Sequence, residues 1–172
     1  LVLHDRTHGA EVPALLFSPQ CKPRADAVLM VDENGKQGFL NPTGDAGTRV
    51  VDELVKSGRQ VLLIDCVGTG EHIAPEGSAR RSQREFPSDN SACKWSFTYN
   101  RTDTAERVYD ILCALNYLQG AGGAREVSVV GSGRAGLWCM LATAFAHGIA
   151  RTAFDTAGFD TMAYAASDFG EY

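Results

Sequence analysis

The stretch VSVVGSGRAGLWCM, residues 127–140, decides how this chain is read. Residues 127–130 favour an extended strand. Gly131, Gly133 and Gly136 then break it, and an apolar helix follows from about Arg134 to His147, where Gly148 stops it. Read as G-x-G-x-x-G, the turn is one that cradles a dinucleotide pyrophosphate on a helix N-terminus. Read as a sharp strand–elbow–helix, it is a turn on which a serine nucleophile is presented. In the second reading the nucleophile's position is held by Gly133.

The dinucleotide reading has a second support. Asp155 follows Gly136 at about the 20-residue spacing of the acidic residue that takes a ribose hydroxyl. Against it stands position, because that fingerprint opens the first βα unit and here at least three strand-like segments precede it. Little chain follows Gly136 to supply the other strands. A nucleotide-binding domain built on the turn from Gly131 to Gly136 therefore remains the lesser alternative.

Outward from the turn, the chain alternates strands with helices. EVPALLFSP (residues 11–19) is rich in strand formers and ends at a proline. Residues 27–31 and 61–65 are unbroken apolar runs, the pattern of strands buried on both faces. Between them Val50, Val51, Leu54 and Val55 recur at helical spacing, predicting a helix over 46–57 with Gly58 as its cap. Residues 103–119 predict a second helix. Asp103 and Glu106 have capping-box spacing there, and Val108, Ile111, Leu112, Leu115 and Leu118 form one face. A last strand is expected over 152–154. This is an α/β domain with a mainly parallel sheet. Residues 69–101 show no sustained period and carry Arg80, Arg81 and Arg84, so they are expected as a long insertion.

The 172 residues, 44% of them hydrophobic, suit a single domain with a real core. A net charge of −5 argues against a nucleic-acid partner, which needs a basic face. No apolar run approaches the roughly 20 residues that span a bilayer, so no membrane segment is expected. The chain opens without Met, in strand-forming sequence and with no charged-then-apolar leader, which leaves the compartment open. Five scattered cysteines lack C-x-x-C spacing and read as small buried apolar residues. His4 and His8 lie roughly 13 Å apart on an extended segment, and His72 is isolated, so no metal site is expected. No cofactor is expected either.

The order of a β-hairpin, strand 27–31, a helix, VLLIDCVGTGEH, an insertion, a helix and VSVVGSGRAG resembles the α/β-hydrolase superfamily. It is most similar to acetyl xylan esterase-like and dienelactone hydrolase-like members. In them an apolar strand ends in D-x-x-G-x-G, here Asp65, Gly68 and Gly70, and a tyrosine-bearing stretch leads into the helix before the elbow. The resemblance implies a parallel sheet sandwiched by helices, a carboxylic-ester hydrolase and a carbohydrate ester as ligand. It also implies further C-terminal strands, which this chain lacks. Residues 1–172 are therefore expected to be an incomplete domain or one module of a larger protein, with that protein's other domains or subunits as partners.

The site departs from the resemblance. Gly133 tolerates the strained elbow but supplies no nucleophile. Ser132, one residue away, points elsewhere. His147 is the only histidine after the elbow, and at 1.5 Å per helical residue it lies roughly 21 Å from Gly133. Asp155 and Asp160 are acids without a base. On the oxyanion side Asp32 and Glu33 place two carboxylates where amides should face a negative charge. The degenerate elbow at Ser132, Gly133 and Arg134 thus carries no triad, and Asp32, Glu33 and Arg134 are expected to line the crevice. A noncatalytic structural or interaction domain is the first reading, and a hydrolase completed by residues outside the chain is the second.

Strand order separates the folds. In the arrangement that the α/β-hydrolase resemblance implies, strand 27–31 lies between 61–65 and 127–130, with 152–154 outside, and right-handed crossovers are expected to put helix 46–57 on the same face as 103–119. The hydrolase arrangement further predicts positive φ at Gly133, at the carboxyl end of its strand and facing the Asp32 loop across a crevice. A dismantled site is expected to keep acidic and imidazole side chains more than about 4 Å from it.

Overall fold

The structure, a computed structural model, describes residues 1–20, 25–40, 46–73 and 101–158. Arg80, Arg81, Arg84, Cys21, Cys93 and Asp160, with most of the 69–101 segment, lie outside the described residues.

The strands are β1 (Val2–His4), β2 (Glu11–Phe17), β3 (Asp26–Asp32), β4 (Gln60–Ile64), β5 (Glu126–Ser132) and β6 (Ile149–Phe154). The helices are α1 (Ala46–Lys56), α2 (Asp103–Gln119) and α3 (Ala135–Phe145). The six strands form one sheet in the order β1-β2-β4-β3-β5-β6. β1 and β2 are antiparallel, as are β2 and β4, and the remaining pairs are parallel. β3 separates β4 from β5, the order that the elbow reading requires.

Alternate residues of the central strands serve opposite faces, as a strand's period of two demands. Leu29, Val31, Leu62, Ile64, Val127 and Val129 pack with α2 and α3. Val28, Met30, Val61 and Leu63 pack on the other face with Phe39 and with Val51 of α1. α1 therefore does not share a face with α2, contrary to expectation. The handedness rule gives the reason. The chain steps from β3 to β4 in one direction, then back across β3 to β5 and onward to β6. Reversing direction moves a right-handed crossover to the opposite face, so α2 and α3 share one and α1 takes the other.

The cap of α2 also differs by one residue. Thr102 is the N-cap, its hydroxyl accepting from Ala105 N at 3.1 Å, and Asp103 and Glu106 lie in the first turn, where they favour the helix dipole. β6 starts three residues before the expected strand, because the chain leaves α3 at Ala146 in extended backbone and turns at Gly148, with φ 71°.

Candidate functional site

β5 ends at Ser132, opposite Asp32 in the β3–β5 ladder, and Gly133 follows at φ 63°. That conformation costs an L-residue roughly 1–2 kcal/mol. Gly131 and Gly136 let the strand and helix close. A Cβ on Gly131 would lie 2.7 Å from Gly136 Cα, and one on Gly136 would collide with the main-chain carbonyl of Asp155. The turn is thus a tight strand–elbow–helix.

The space beside Gly133 is filled from the neighbouring strand. Because Asp32 and Ser132 are in register, the next residue of the β3 loop, Glu33, stands against Gly133. A Cβ at 133 would lie 2.7 Å from Glu33 Cδ. Glu33 Oε2 accepts from Arg134 N at 3.2 Å and from Arg134 Nε at 3.0 Å. Hydrogen bonds from the Arg134 side chain and backbone hold the Glu33 carboxyl below its ordinary range. The expectation that no acidic group approaches Gly133 therefore fails. An N-terminal helix amide beside a guanidinium attracts a carboxylate, and β3 delivers one.

The other site residues diverge. Asp32 is buried and turns back into its own loop, accepting from Asn34 N at 2.8 Å and Asn34 Nδ2 at 3.1 Å, with Gly38 packed against it. The two carboxylates therefore do not converge. Asp155 N donates to Gly131 O at 2.9 Å, and its Oδ1 accepts from Ala157 N at 2.9 Å. His147 is exposed beyond α3, and its carbonyl accepts from Gln119 Nε2 at 2.6 Å. The structure thus brings Glu33, Gly133 and Arg134 together and leaves Asp32, Ser132 and His147 apart from that contact. Among the described residues no group of three or more His, Cys, Asp or Glu side chains could hold a metal ion, and no helix is long and apolar enough to cross a membrane.

Two buried polar clusters beside the elbow were not singled out from the sequence. Asp65, at the end of β4, accepts from Lys36 N at 2.7 Å and Glu71 N at 3.0 Å, and pairs with Lys36 Nζ at 2.7 Å. Lys36 Nζ also lies 2.9 Å from Glu71 Oε1. Burial opposes the Lys36 charge, but its hydrogen bonds to Asp65 and Glu71 outweigh that and raise its pKa. The second cluster joins β4 to α2 and α3. Asp110 accepts from Val67 N at 2.8 Å, Arg107 Nε donates to Val67 O at 3.0 Å, and the Arg107 guanidinium stacks 4.4 Å from the Trp138 ring centroid.

Burial pushes the Asp110 carboxyl up to about 6 from 3.8. A folded-state pKa above the unfolded one means the native state binds more protons, so this contribution is complete below 3.8 and is lost as pH rises through about 6. At 1.36 kcal/mol per unit it spans at most about 3 kcal/mol. Asp110→Asn keeps an acceptor for Val67 N without the charge. It is expected to raise stability at pH 8 by about 1–3 kcal/mol and to flatten the profile between about pH 4 and 7. Urea unfolding across pH checks this, and a variant less stable than wild type at pH 8 contradicts it.

No protein-family model and no curated protein matches the sequence. Solved structures match the fold. An esterase from Pyrococcus furiosus superposes with a TM-score of 0.60 at 11% identity over 91% of this chain and 48% of its own. Est1E from Butyrivibrio proteoclasticus, solved with ferulic acid bound, gives 0.53 at 17% identity over 84% and 47%. A dienelactone hydrolase from Anabaena variabilis gives 0.55 at 15% over 88% and 59%. The fold is that of an α/β-hydrolase. The chain spans about half the length of these α/β-hydrolases, and Gly133 stands at the elbow between β5 and α3.

Proposed function

We propose that this is a catalytically degenerate α/β-hydrolase domain, acetyl xylan esterase-like in its arrangement, with a structural or interaction role. The observation that carries the reading is Gly133 itself, at the elbow with φ 63°; Glu33, the acid not expected beside it, is tied up by Arg134 N and Nε and is no free partner for a histidine. The nucleophile's position has no side chain, and the Glu33 carboxylate fills the space that a side chain there would need. Residues outside the chain could add an acid or a histidine, but not a nucleophile at position 133. A negative charge there also opposes the oxyanion that ester hydrolysis must stabilise.

An interaction role has a surface to use. α3 carries no charged residue between Ala135 and Phe145, and Met140, Leu141 and Phe145 are exposed. Beside it β6 pairs only with β5 among the described residues, and residues 151–153 are exposed. An apolar helix face beside an open strand edge fits a further domain or subunit that extends the sheet. The domain alone is expected to hydrolyse p-nitrophenyl acetate no faster than buffer. Turnover well above buffer that disappears in Ser132→Ala defeats the reading, because it identifies Ser132 as a nucleophile.

A further inference from the structure

β6 (Ile149–Phe154) borders the sheet, and its outer edge is open among the described residues. Open edges are normally blunted by shortness, proline or lysine, because unpaired amides and carbonyls recruit other strands. β1, at the opposite border, has only three residues. β6 has six, IARTAF, with no proline and no lysine.

The register shows which groups this edge offers. Gly131 is paired with Phe154, and Gly131 O accepts from Asp155 N at 2.9 Å. In a parallel ladder this turns the amides and carbonyls of Ala153 and Asp155 to β5, and those of Thr152 and Phe154 point outward. Side chains alternate between the faces. Thr152 and Phe154 stand opposite Val129 and Gly131 on the face covered by α2 and α3. Arg151, Ala153 and Asp155 take the other face. Arg151 is exposed and makes no hydrogen bond or ion pair among the described residues. Asp155 is exposed too, and only its Oδ1 is used, by Ala157 N.

The segment is complementary to itself. Added antiparallel, a second copy must put Thr152 and Phe154 in hydrogen-bonded pairs, which leaves few twofold registers. Centred on Thr152, each Arg151 meets the partner's Arg151 on a diagonal, and no charge has an opposite one directly across. Centred on Phe154, the same holds for Asp155. Centred on Ala153, Thr152 and the partner's Phe154 exchange amide and carbonyl bonds, and Arg151 faces the partner's Asp155 on both sides of the axis. Opposite charges directly across favour a pair and like charges oppose it, so this register prevails. We propose that the β6 edge binds a second copy of this chain, antiparallel and centred on Ala153, with Arg151 of each protomer paired to the partner's Asp155. The proposal names the partner for the interaction role given above and rests on that role. It does not depend on the elbow's chemistry: an esterase-active dimer would leave it standing, and an inactive monomer would remove it alone.

Sedimentation equilibrium of the whole 172-residue chain is the test. One strand pair is a small interface, so a dimer Kd on the order of 10–100 µM is expected. Arg151→Asp sets like charges across the joint twice and is expected to raise Kd at least about tenfold, as is Asp155→Arg. The double variant Arg151→Asp, Asp155→Arg restores both opposite pairs and should return Kd to within about threefold of wild type. Thr152→Pro removes an amide that points to the partner and none that β5 uses, so it should dissociate the dimer while urea unfolding stays cooperative. A wild type that remains monomeric to about 1 mM overturns the proposal and assigns the edge to another chain. So does a dimer that Arg151→Asp or Thr152→Pro leaves intact, or a folded double variant that stays as weak as the single ones.

Discussion

Gly133→Ser, the substitution that writes a serine back into the elbow, is expected to destabilise the domain by about 2–3 kcal/mol and to restore no esterase activity. Two costs add. The backbone at 133 sits at φ 63°, worth roughly 1–2 kcal/mol against any side chain. The new Cβ would lie 2.7 Å from Glu33 Cδ, so Glu33 must swing away and give up its bonds to Arg134 N and Nε. Glu33 and Arg134 are both partly exposed, which limits that loss to about 1 kcal/mol. Glu33→Ala in the same chain removes the collision. The double variant is therefore expected to be more stable than the two single effects added, by at least about 0.5 kcal/mol. Urea unfolding of the four proteins supplies the cycle. Additive effects would falsify the packing of Glu33 against position 133, and activity in Gly133→Ser alone would contradict a site closed by a carboxylate.

Strand type and the elbow's positive φ were legible in the sequence because each has a local cause, whereas the strand order came from the resemblance to α/β-hydrolases. Residues 27–31 are apolar without alternation, which only a strand covered on both faces needs, and β3 lies at the sheet's centre. The six residues from Gly131 to Gly136 announce their turn through glycines at three positions. The face of α1 has no such local signature, since it depends on the direction the chain steps between strands. It could have been derived once the order was fixed, because the β3-to-β4 and β4-to-β5 steps run opposite ways. The site was legible by composition and not by geometry. Asp32 and Glu33 read as two like charges on one rim. The alternation of successive residues sends Asp32 back to Asn34 and Glu33 across to Arg134. Only the β3–β5 register, with Asp32 opposite Ser132, reveals that Glu33 meets Gly133.

Asp65→Ala is expected to have the largest effect, a loss of about 3–5 kcal/mol. Asp65 was visible only as the first residue of D-x-x-G-x-G, and its carboxylate explains one glycine of that motif, Gly70, and Gly35 of the facing loop. A Cβ on Gly35 or on Gly70 would collide with its carboxylate. Asp65 is 1% exposed and takes two main-chain amides and the Lys36 ammonium, whose own side chain is 10% exposed. Deleting the carboxylate orphans the amides and leaves a buried cation with Glu71 as its one remaining carboxylate among the described residues, and that side chain is largely in solvent. The double variant Asp65→Ala, Lys36→Met removes that cation as well, and it is expected to recover at least about 1 kcal/mol of the loss. Lys36 lies three residues after Glu33, so Asp65 also anchors the loop that holds Glu33 against the elbow. Asp65→Ala should therefore loosen that contact, and in its background Gly133→Ser should cost less than in the wild type. Urea unfolding measures both effects. A loss below about 1 kcal/mol for Asp65→Ala alone would show that the cluster is solvated and does not fix the loop.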